Sequence, residues 1–319
     1  MRTIEECLAH APKRIMLCGH KHPDGDCVGA VMGLYHYLNE NSSCTVMPYL
    51  ETPIESLQFL TEGFPFRSDD GSGEQFDLAI ALDASDIERI TAGLAAFQQA
   101  AEKIVIDHHE TNTLFGDRNH VVPDASSTCE VLTALMQEKK IGTDAAAALF
   151  TGIVCDSGVF RYDSTTPETL RTAARLIGKG IPFSWIIEHT NVERKYDELK
   201  IASAIIHDSV FLPEERFAYA VADRDIQEKY GVFSKDLGNV VTDLNSIADT
   251  DAVLFIYWNG ERYKGSLRSK SAIDVAAIAA SLGGGGHIRA AGFDSDLAPE
   301  EIVRAVLEKI RAQREEGKA

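Results

Sequence analysis

The chain lacks any run approaching the ~18 uninterrupted apolar residues of a membrane span, although 45% of its 319 residues are hydrophobic. Its start, Met1-Arg-Thr-Ile-Glu-Glu-Cys7, is acidic and has no secretory apolar core. Paired cysteines are missing as well. The six cysteines (7, 18, 27, 44, 129 and 155) form no Cys-x-x-Cys motif and none lies in the second half. That pattern suits reduced, mostly buried thiols rather than a disulfide framework or a structural zinc site. A cytoplasmic location is the expectation. Basic residues are scarce: 31 Lys and Arg stand against 49 Asp and Glu, a net charge of −18. Proteins that hold long nucleic acids present a broad basic face, because phosphate neutralisation supplies most of their affinity. If the chain handles nucleotides, they should be short, and the positive charge that meets them local or metallic.

What the sequence does contain is a set of apolar segments that stop abruptly at acids and imidazoles. Ile104-Val-Ile ends in Asp107-His108-His109, and in an open parallel sheet ligands bind just beyond the carboxyl ends of strands. Arg14–Cys18 reads as a strand followed by Gly19 and His20-Lys-His22-Pro-Asp24-Gly-Asp26, before a helical run from Cys27 to Leu38. Turn chemistry and the helix dipole account for Asp26 and in part for Asp24; they leave the two histidines unexplained. Phe76–Leu82 is a buried strand that stops at Asp83, with Asp86 a plausible cap. The alanine-rich helix Thr143–Val154 runs into Cys155-Asp156, an acid that is costly to bury without compensation.

Four turns thus carry His20, Asp24, Asp26, Asp83, His108 and Asp156. Alternating strand and helix patterns place them on one edge of a parallel sheet. Carboxylates with imidazoles and no thiolate favour Mn²⁺, Mg²⁺ or a similar ion. The surplus of acids suggests two ions, and ions ~3.5–4 Å apart serve displacement at phosphorus. Further strand character is expected at 43–47, and helices at 53–60, 91–102 and 167–178. Ser127-Thr-Cys-Glu130 reads as a capping box opening a helix through Gln137, with no further role for Ser126 or Ser127.

After a polar helical connector from about 184 to 209, the pattern begins again with strands at 210–212 and 217–221 and a helix at 236–247. Ala252–Tyr257 and Arg262–Leu267 form an expected hairpin, followed by a helix at 273–281 and a last one opened by Pro299. Gly283-Gly-Gly-Gly286 precedes His287 and Arg289 and suits backbone N–H groups closing on an anion at a helix start. Between residues 261 and 289, five basic residues (262, 264, 268, 270, 289) meet two acids (261, 274), a local basic patch.

Taken in order, His20-x3-Asp24-x-Asp26, Asp83, Asp107-His108-His109 and Asp156 resemble the four motifs of the DHH phosphoesterases. Gly283–His287 with Ala290-Ala-Gly292 resembles the signature of the DHH-associated C-terminal domain. The similarity runs from His20 to Phe293 and is greatest to the compact two-domain, bacterial nano-RNase type. It implies an α/β fold: a parallel-sheet domain (1–187), a helical connector (188–209) and a smaller α/β domain (210–319), with the active site in the cleft between the domains.

The resemblance further implies an enzyme that hydrolyses very short RNA and 3′-phosphoadenosine 5′-phosphate (pAp) with two divalent ions. Mn²⁺ is preferred, and Mg²⁺ or Co²⁺ are alternatives. His20 and Asp24 would hold one ion, Asp26, His108 and Asp156 the other, and Asp83 both. Asp107 would orient ligands and His109 would face the phosphate, with hydroxide on the ions attacking phosphorus in line. Arg268, Gly284, Gly285, Gly286 and His287 would grip the terminal phosphate. His22, where relatives commonly have Asn, and Arg161 stay outside the ligand set. Short nucleotides are the expected partners, with no long nucleic acid and no membrane, and a homodimer is left open. The second reading is a soluble hydrolase of cyclic di-AMP or pApA. The glycine-rich His signature argues against a pyrophosphatase, and the intact acid set against a non-catalytic binding module.

Overall fold

The computed structural model describes residues 3–232 and 237–317, and the chain divides into two compact units between Glu193 and Arg194. Among the described residues no helix is long and apolar enough to cross a membrane, and the six cysteines form no disulfide, four of them being buried.

The first unit is built on a sheet with strand order β2-β1-β3-β4-β5. Its strands are β1 (Arg14–Cys18), β2 (Thr45–Tyr49), β3 (Leu78–Leu82), β4 (Glu102–Asp107) and β5 (Arg118–Val121). Every pairing is parallel, so all five carboxyl ends share one edge. β3 and the inner part of β4 are buried throughout, as expected of strands covered on both faces. The helices are α1 (Gly25–Asn41), α2 (Leu94–Gln99), α3 (Thr128–Leu135), α4 (Thr143–Asp156), α5 (Pro167–Ile177) and α6 (Phe183–Asn191).

One apolar core joins α1, α3 and α4 to the sheet, and a smaller one lies around α2 and Tyr49. α1 and α4 run antiparallel at close range. A Cβ on Gly29 would lie 2.5 Å from the Ala148 carbonyl oxygen, so only glycine permits this approach. The consequence reaches the site: the start of α1, with Asp26, is brought beside the end of α4, with Asp156.

Several elements differ from the sequence expectation. β2 lies two residues later than 43–47, and 53–60 forms a 3-10 helix over Glu55–Leu60. The helix expected over 91–102 is confined to Leu94–Gln99. Gly93 is left-handed (φ 77°), Ala100 is extended, and Glu102 already belongs to β4. β5 was not anticipated; its Arg-Asn-His-Val sequence is half-exposed on the edge of the sheet and has no apolar alternation.

The second unit contains α7 (Tyr196–His207), β6 (Val210–Leu212), β7 (Phe217–Ala222), α8 (Arg224–Tyr230) and α9 (Gly238–Asn245). It continues through β8 (Ala252–Trp258), β9 (Tyr263–Ser269), α10 (Val275–Ser281), β10 (Gly285–His287), β11 (Ala290–Ser295) and α11 (Pro299–Glu316). Its sheet has the order β10-β11-β9-β8-β7-β6 and is mixed, with β7 and β8 parallel and the other pairs antiparallel. The expected hairpin is β8–β9, closed by Asn259, whose side chain accepts from the N–H groups of Glu261 and Arg262. The expected helix at 236–247 is α9, and its first residue, Asp236, lies outside the described residues. α8, capped by the Asp223 carboxylate, lies outside the elements that the sequence pattern predicts.

The glycine run is a correction. Gly283–Gly286 does not open a helix; it follows the end of α10 and enters the short edge strand β10. Glycine is required there for closeness. A Cβ on Gly284 would lie 2.1 Å from the Gly292 carbonyl oxygen, and one on Gly286 2.5 Å from that of Ala290.

Candidate metal centre

Three strand ends and two helix ends converge on one cluster. His20 follows β1, Asp83 follows β3, and Asp107-His108-His109 closes β4. Asp24 and Asp26 open α1, and Asp156 is the last residue of α4. In the 2-1-3-4-5 order the chain reverses its winding direction between β1 and β3, the usual place for a ligand site.

Asp83 sits at the middle. It is 2% exposed. Its carboxylate lies 3.4 Å from His20 Nε2, 3.6 Å from His108 Nε2 and 3.7 Å from His109 Nδ1, and it accepts from the Thr128 hydroxyl at 3.1 Å. Its backbone is left-handed at φ 55°, a region that Asp visits more readily than most residues. On one side, His20 Nε2 is also 3.6 Å from Asp24 Oδ1. On the other, His108 Nε2 is 3.3 Å from Asp156 Oδ2 and 4.0 Å from Asp26 Oδ2. The donor atoms of Asp26, His108 and Asp156 all lie within 4.8 Å of one another, as do those of Asp83, His108 and His109.

Backbone carbonyls fix the imidazoles. A carbonyl oxygen only accepts. His20 Nδ1, 2.8 Å from the Lys21 oxygen, and His108 Nδ1, 3.3 Å from that of Ala125, must therefore be the donors. Each His is left with Nε2 toward the carboxylates, the arrangement of a metal-ligating histidine. Asp107, fully buried, accepts from the His108 N–H (2.8 Å), His109 Nδ1 (2.8 Å) and Asn112 Nδ2 (2.6 Å). It steers both histidines without joining the cluster itself.

Sequence reasoning missed the floor of the site. The start of α3 donates two N–H groups to Asp26, from Thr128 (2.6 Å) and Cys129 (3.0 Å). The reciprocal half of the capping box does not form: Ser127 accepts from Glu130 N–H, but the Glu130 carboxylate turns to Ser126 and Thr169. That buried carboxylate braces the segment that holds Asp26. On α4, a Cβ at Gly152 would come within 2.7 Å of Asp26 Oδ1, so glycine makes room for the acid.

The remaining sequence candidates fall elsewhere. His22 is exposed, with its N–H on the Glu51 carboxylate (2.8 Å). The Arg161 Nε donates to the Gly158 carbonyl (2.7 Å). In the second unit, Arg268 on β9 and His287 on β10 both pair with Ala290 of β11. Directly opposed residues share a face of a sheet, so the two stand in one row, roughly 10 Å apart at strand spacing. Gly284, Gly285 and Gly286 are exposed beside them.

Residues 14–153 match the DHH family, N-terminal domain, and residues 214–316 match the DHHA1 domain. The bifunctional oligoribonuclease and PAP phosphatase NrnA of Bacillus subtilis is 30% identical, over 87% of this chain and 88% of that protein. The chain belongs to the DHH family. The protein of the same name from Thermus thermophilus is 28% identical over 97% of this chain and 94% of its own length. An exopolyphosphatase-related protein from Bacteroides fragilis has the same fold, with a TM-score of 0.88 at 22% identity, covering 99% of this chain and 96% of that one. RecJ of Thermus thermophilus in complex with Mn²⁺ shares it more distantly, with a TM-score of 0.54 at 16% identity, over 97% of this chain and 53% of that one.

The electrostatics of this DHH site test whether its residues fit cations. Burial, reinforced by the charges of Asp83 and Asp156, pushes the Asp26 carboxyl well above the usual carboxylate range. Burial, with Asp83 and Asp24, pushes Asp156 up to about 8. Burial disfavours a charged His20, but Asp24 and Asp83 overcome it and raise the imidazole to about 10. Protons on Asp26, Asp156 and His20 thus offset a surplus of buried negative charge. Divalent cations would offset it better, and the donors are the oxygen and imidazole nitrogen atoms that such ions take. The fit is good.

Proposed function

We propose that this DHH protein is a two-metal phosphoesterase. In this reading it cleaves short oligoribonucleotides to mononucleotides and removes phosphate from 3′-phosphoadenosine 5′-phosphate. The observation that carries it is Asp83, a buried carboxylate within 3.7 Å of three imidazoles. One acid so placed can serve two ions at once. His20 and Asp24 complete the first ligand set; Asp26, His108 and Asp156 complete the second. Mn²⁺ is the preferred ion, with Mg²⁺ or Co²⁺ as substitutes. When bound, the ions would neutralise phosphate charge and lower the pKa of water next to phosphorus.

The chain's own groups supply the rest. Burial would raise the Asp107 carboxyl, but hydrogen bonds from His109, Asn112 and the His108 N–H hold it below the usual range. As a carboxylate it only accepts, so His109 Nδ1 donates to it, and the same bond raises the imidazole's pKa. That bond favours the imidazolium form of His109, in which Nε2–H would face the substrate, steady the phosphate and protonate the leaving oxygen. Arg268, Gly284–Gly286 and His287 are proposed to hold the terminal phosphate, Arg268 through its planar guanidinium. The proposed division of labour is a metal-binding domain over 1–187, a connector over 188–209 and a substrate-binding domain over 210–319, acting in the cytoplasm.

Support for the substrate class comes from the relatives named as oligoribonucleases and PAP phosphatases. The test is a parallel Mn²⁺-dependent assay on pAp, a 5′-phosphorylated RNA dinucleotide, cyclic di-AMP and pyrophosphate. Turnover of the first two, lost on chelation and restored by Mn²⁺, is expected. Fastest turnover of the cyclic compound would make it a signalling hydrolase, and turnover that survives chelation would sink the two-metal mechanism.

A further inference from the structure

The first ligand set has a sulfur atom beneath it. Cys27, in the first turn of α1, is fully buried, and its Sγ lies within 4.8 Å of donor atoms of both His20 and Asp83. His20 and Asp83 are thus flanked by two alternatives. Asp24 is on the solvent side, with a carboxylate 60% exposed, and a thiol is on the protein side. The thiol lies against the His20 backbone, 3.9 Å from its carbonyl oxygen. Space for it is kept by Gly19, where a Cβ would come within 2.2 Å of Sγ.

We propose that a thiophilic divalent cation, Zn²⁺ or Cd²⁺, binds here on His20, Cys27 and Asp83, as an alternative to the oxygen-rich set completed by Asp24. The choice follows ligand softness: thiolate draws Zn²⁺ and Cd²⁺, while Mn²⁺ and Mg²⁺ prefer carboxylate oxygen. Zinc takes sulfur at ~2.3 Å and imidazole nitrogen or carboxylate oxygen at ~2.0–2.2 Å. Donor atoms within 4.8 Å of one another can close on such an ion with side-chain adjustments of under about 1 Å, given those bond lengths. As the sulfur–metal bond forms, the thiol proton leaves to solvent and no electron is transferred. Because the two modes share His20 and Asp83, they exclude each other. A thiophilic ion would hold the protein in a state that the proposed phosphoesterase cannot use, and the ion available would decide the state.

The inference rests on the metal-site reading above, and its test separates the two. The chelator-treated full chain is titrated with Cd²⁺ while the ultraviolet sulfur-to-cadmium charge-transfer absorption is followed. In parallel, Mn²⁺ binding is read by electron paramagnetic resonance. The expected result is a band saturating at one Cd²⁺ per chain, retained in Cys155→Ala and lost in Cys27→Ala and Cys27→Ser, both of which still bind Mn²⁺. Cadmium NMR of the unaltered protein checks the same point without a variant, since thiolate ligation shifts the resonance far from that of an oxygen and nitrogen set. Cadmium bound without a charge-transfer band, or a band that survives Cys27→Ala, would overturn the proposal. Absent Mn²⁺ binding in the unaltered chain would instead overturn the two-metal reading, whatever cadmium does.

Discussion

Replacing Asp83 by Asn isolates the charge of the central carboxylate. Asn tolerates the left-handed backbone at this position, and its amide oxygen can still accept from Thr128. What disappears is one negative charge 3.4 Å from His20 Nε2 and 3.6 Å from His108 Nε2, inside the reach of an ion on either imidazole. A unit charge and a divalent ion ~4 Å apart interact by about 8 kcal/mol at an effective dielectric constant of 20, part of which the remaining amide oxygen offsets as a neutral ligand. With about 1.4 kcal/mol per factor of ten, affinity should fall at least roughly a thousandfold for each ion. Asp156→Asn, by contrast, should weaken only one. The same charge is also a cause of the high Asp156 pKa, second to burial, so in the Asp83→Asn protein Asp156 should titrate below about 8. Calorimetric titration with Mn²⁺ reads the first effect, and carboxyl-carbon NMR of the chelated protein reads the second. Two ions bound at unaltered affinity, with the Asp156 titration unmoved, would refute the argument that Asp83 is shared.

The pH dependence of the chelated protein follows from Asp156. Its folded pKa of about 8 lies far above the ordinary carboxylate value of ~3.9. Below about pH 4 both folded and unfolded chains hold the proton; between there and about 8 only the folded chain does. Stability of the ion-free protein should therefore fall as pH rises through that window, and Asp156→Asn should flatten the melting profile. Divalent-ion affinity should rise over the same range as the proton is displaced; an affinity independent of pH would contradict this. Thr128→Val removes the hydroxyl on Asp83 and should cost about 10–100-fold in metal affinity, the usual effect of an outer partner. A variant with unaltered affinity would show that Thr128 does not position Asp83. Arg268→Ala should raise KM for pAp by roughly 10-fold or more, as expected for a charge-assisted phosphate contact, with Mn²⁺ content unchanged; a loss of metal would place Arg268 in the wrong role.

The sheet and its cargo were legible because their signals are local. An apolar run that stops at Asp83, or at Asp107-His108-His109, announces both a buried strand and a polar delivery at its end. β5 has no such run; an edge strand exposed along part of its length needs no apolar alternation. The role of Thr128 was hidden for a different reason. Four residues of spacing reveal a cap, but Asp26, to which the Thr128 N–H donates, is 102 positions away. In the sequence Cys27 is one of several scattered thiols, since nothing there puts its sulfur beside Asp83. The glycine run misled because its composition suits an anion loop as well as the close pairing of β10 with β11 that it makes.

The most direct test of the two-ion site is a crystal of the Mn²⁺-loaded protein with anomalous diffraction recorded at the manganese edge. The account expects two peaks, roughly 4 Å apart as in paired-ion phosphoesterases, with the Asp83 carboxylate between them. His20 and Asp24 should lie on one side, and Asp26, His108 and Asp156 on the other. A single peak, or a pair that Asp83 does not touch, would contradict it.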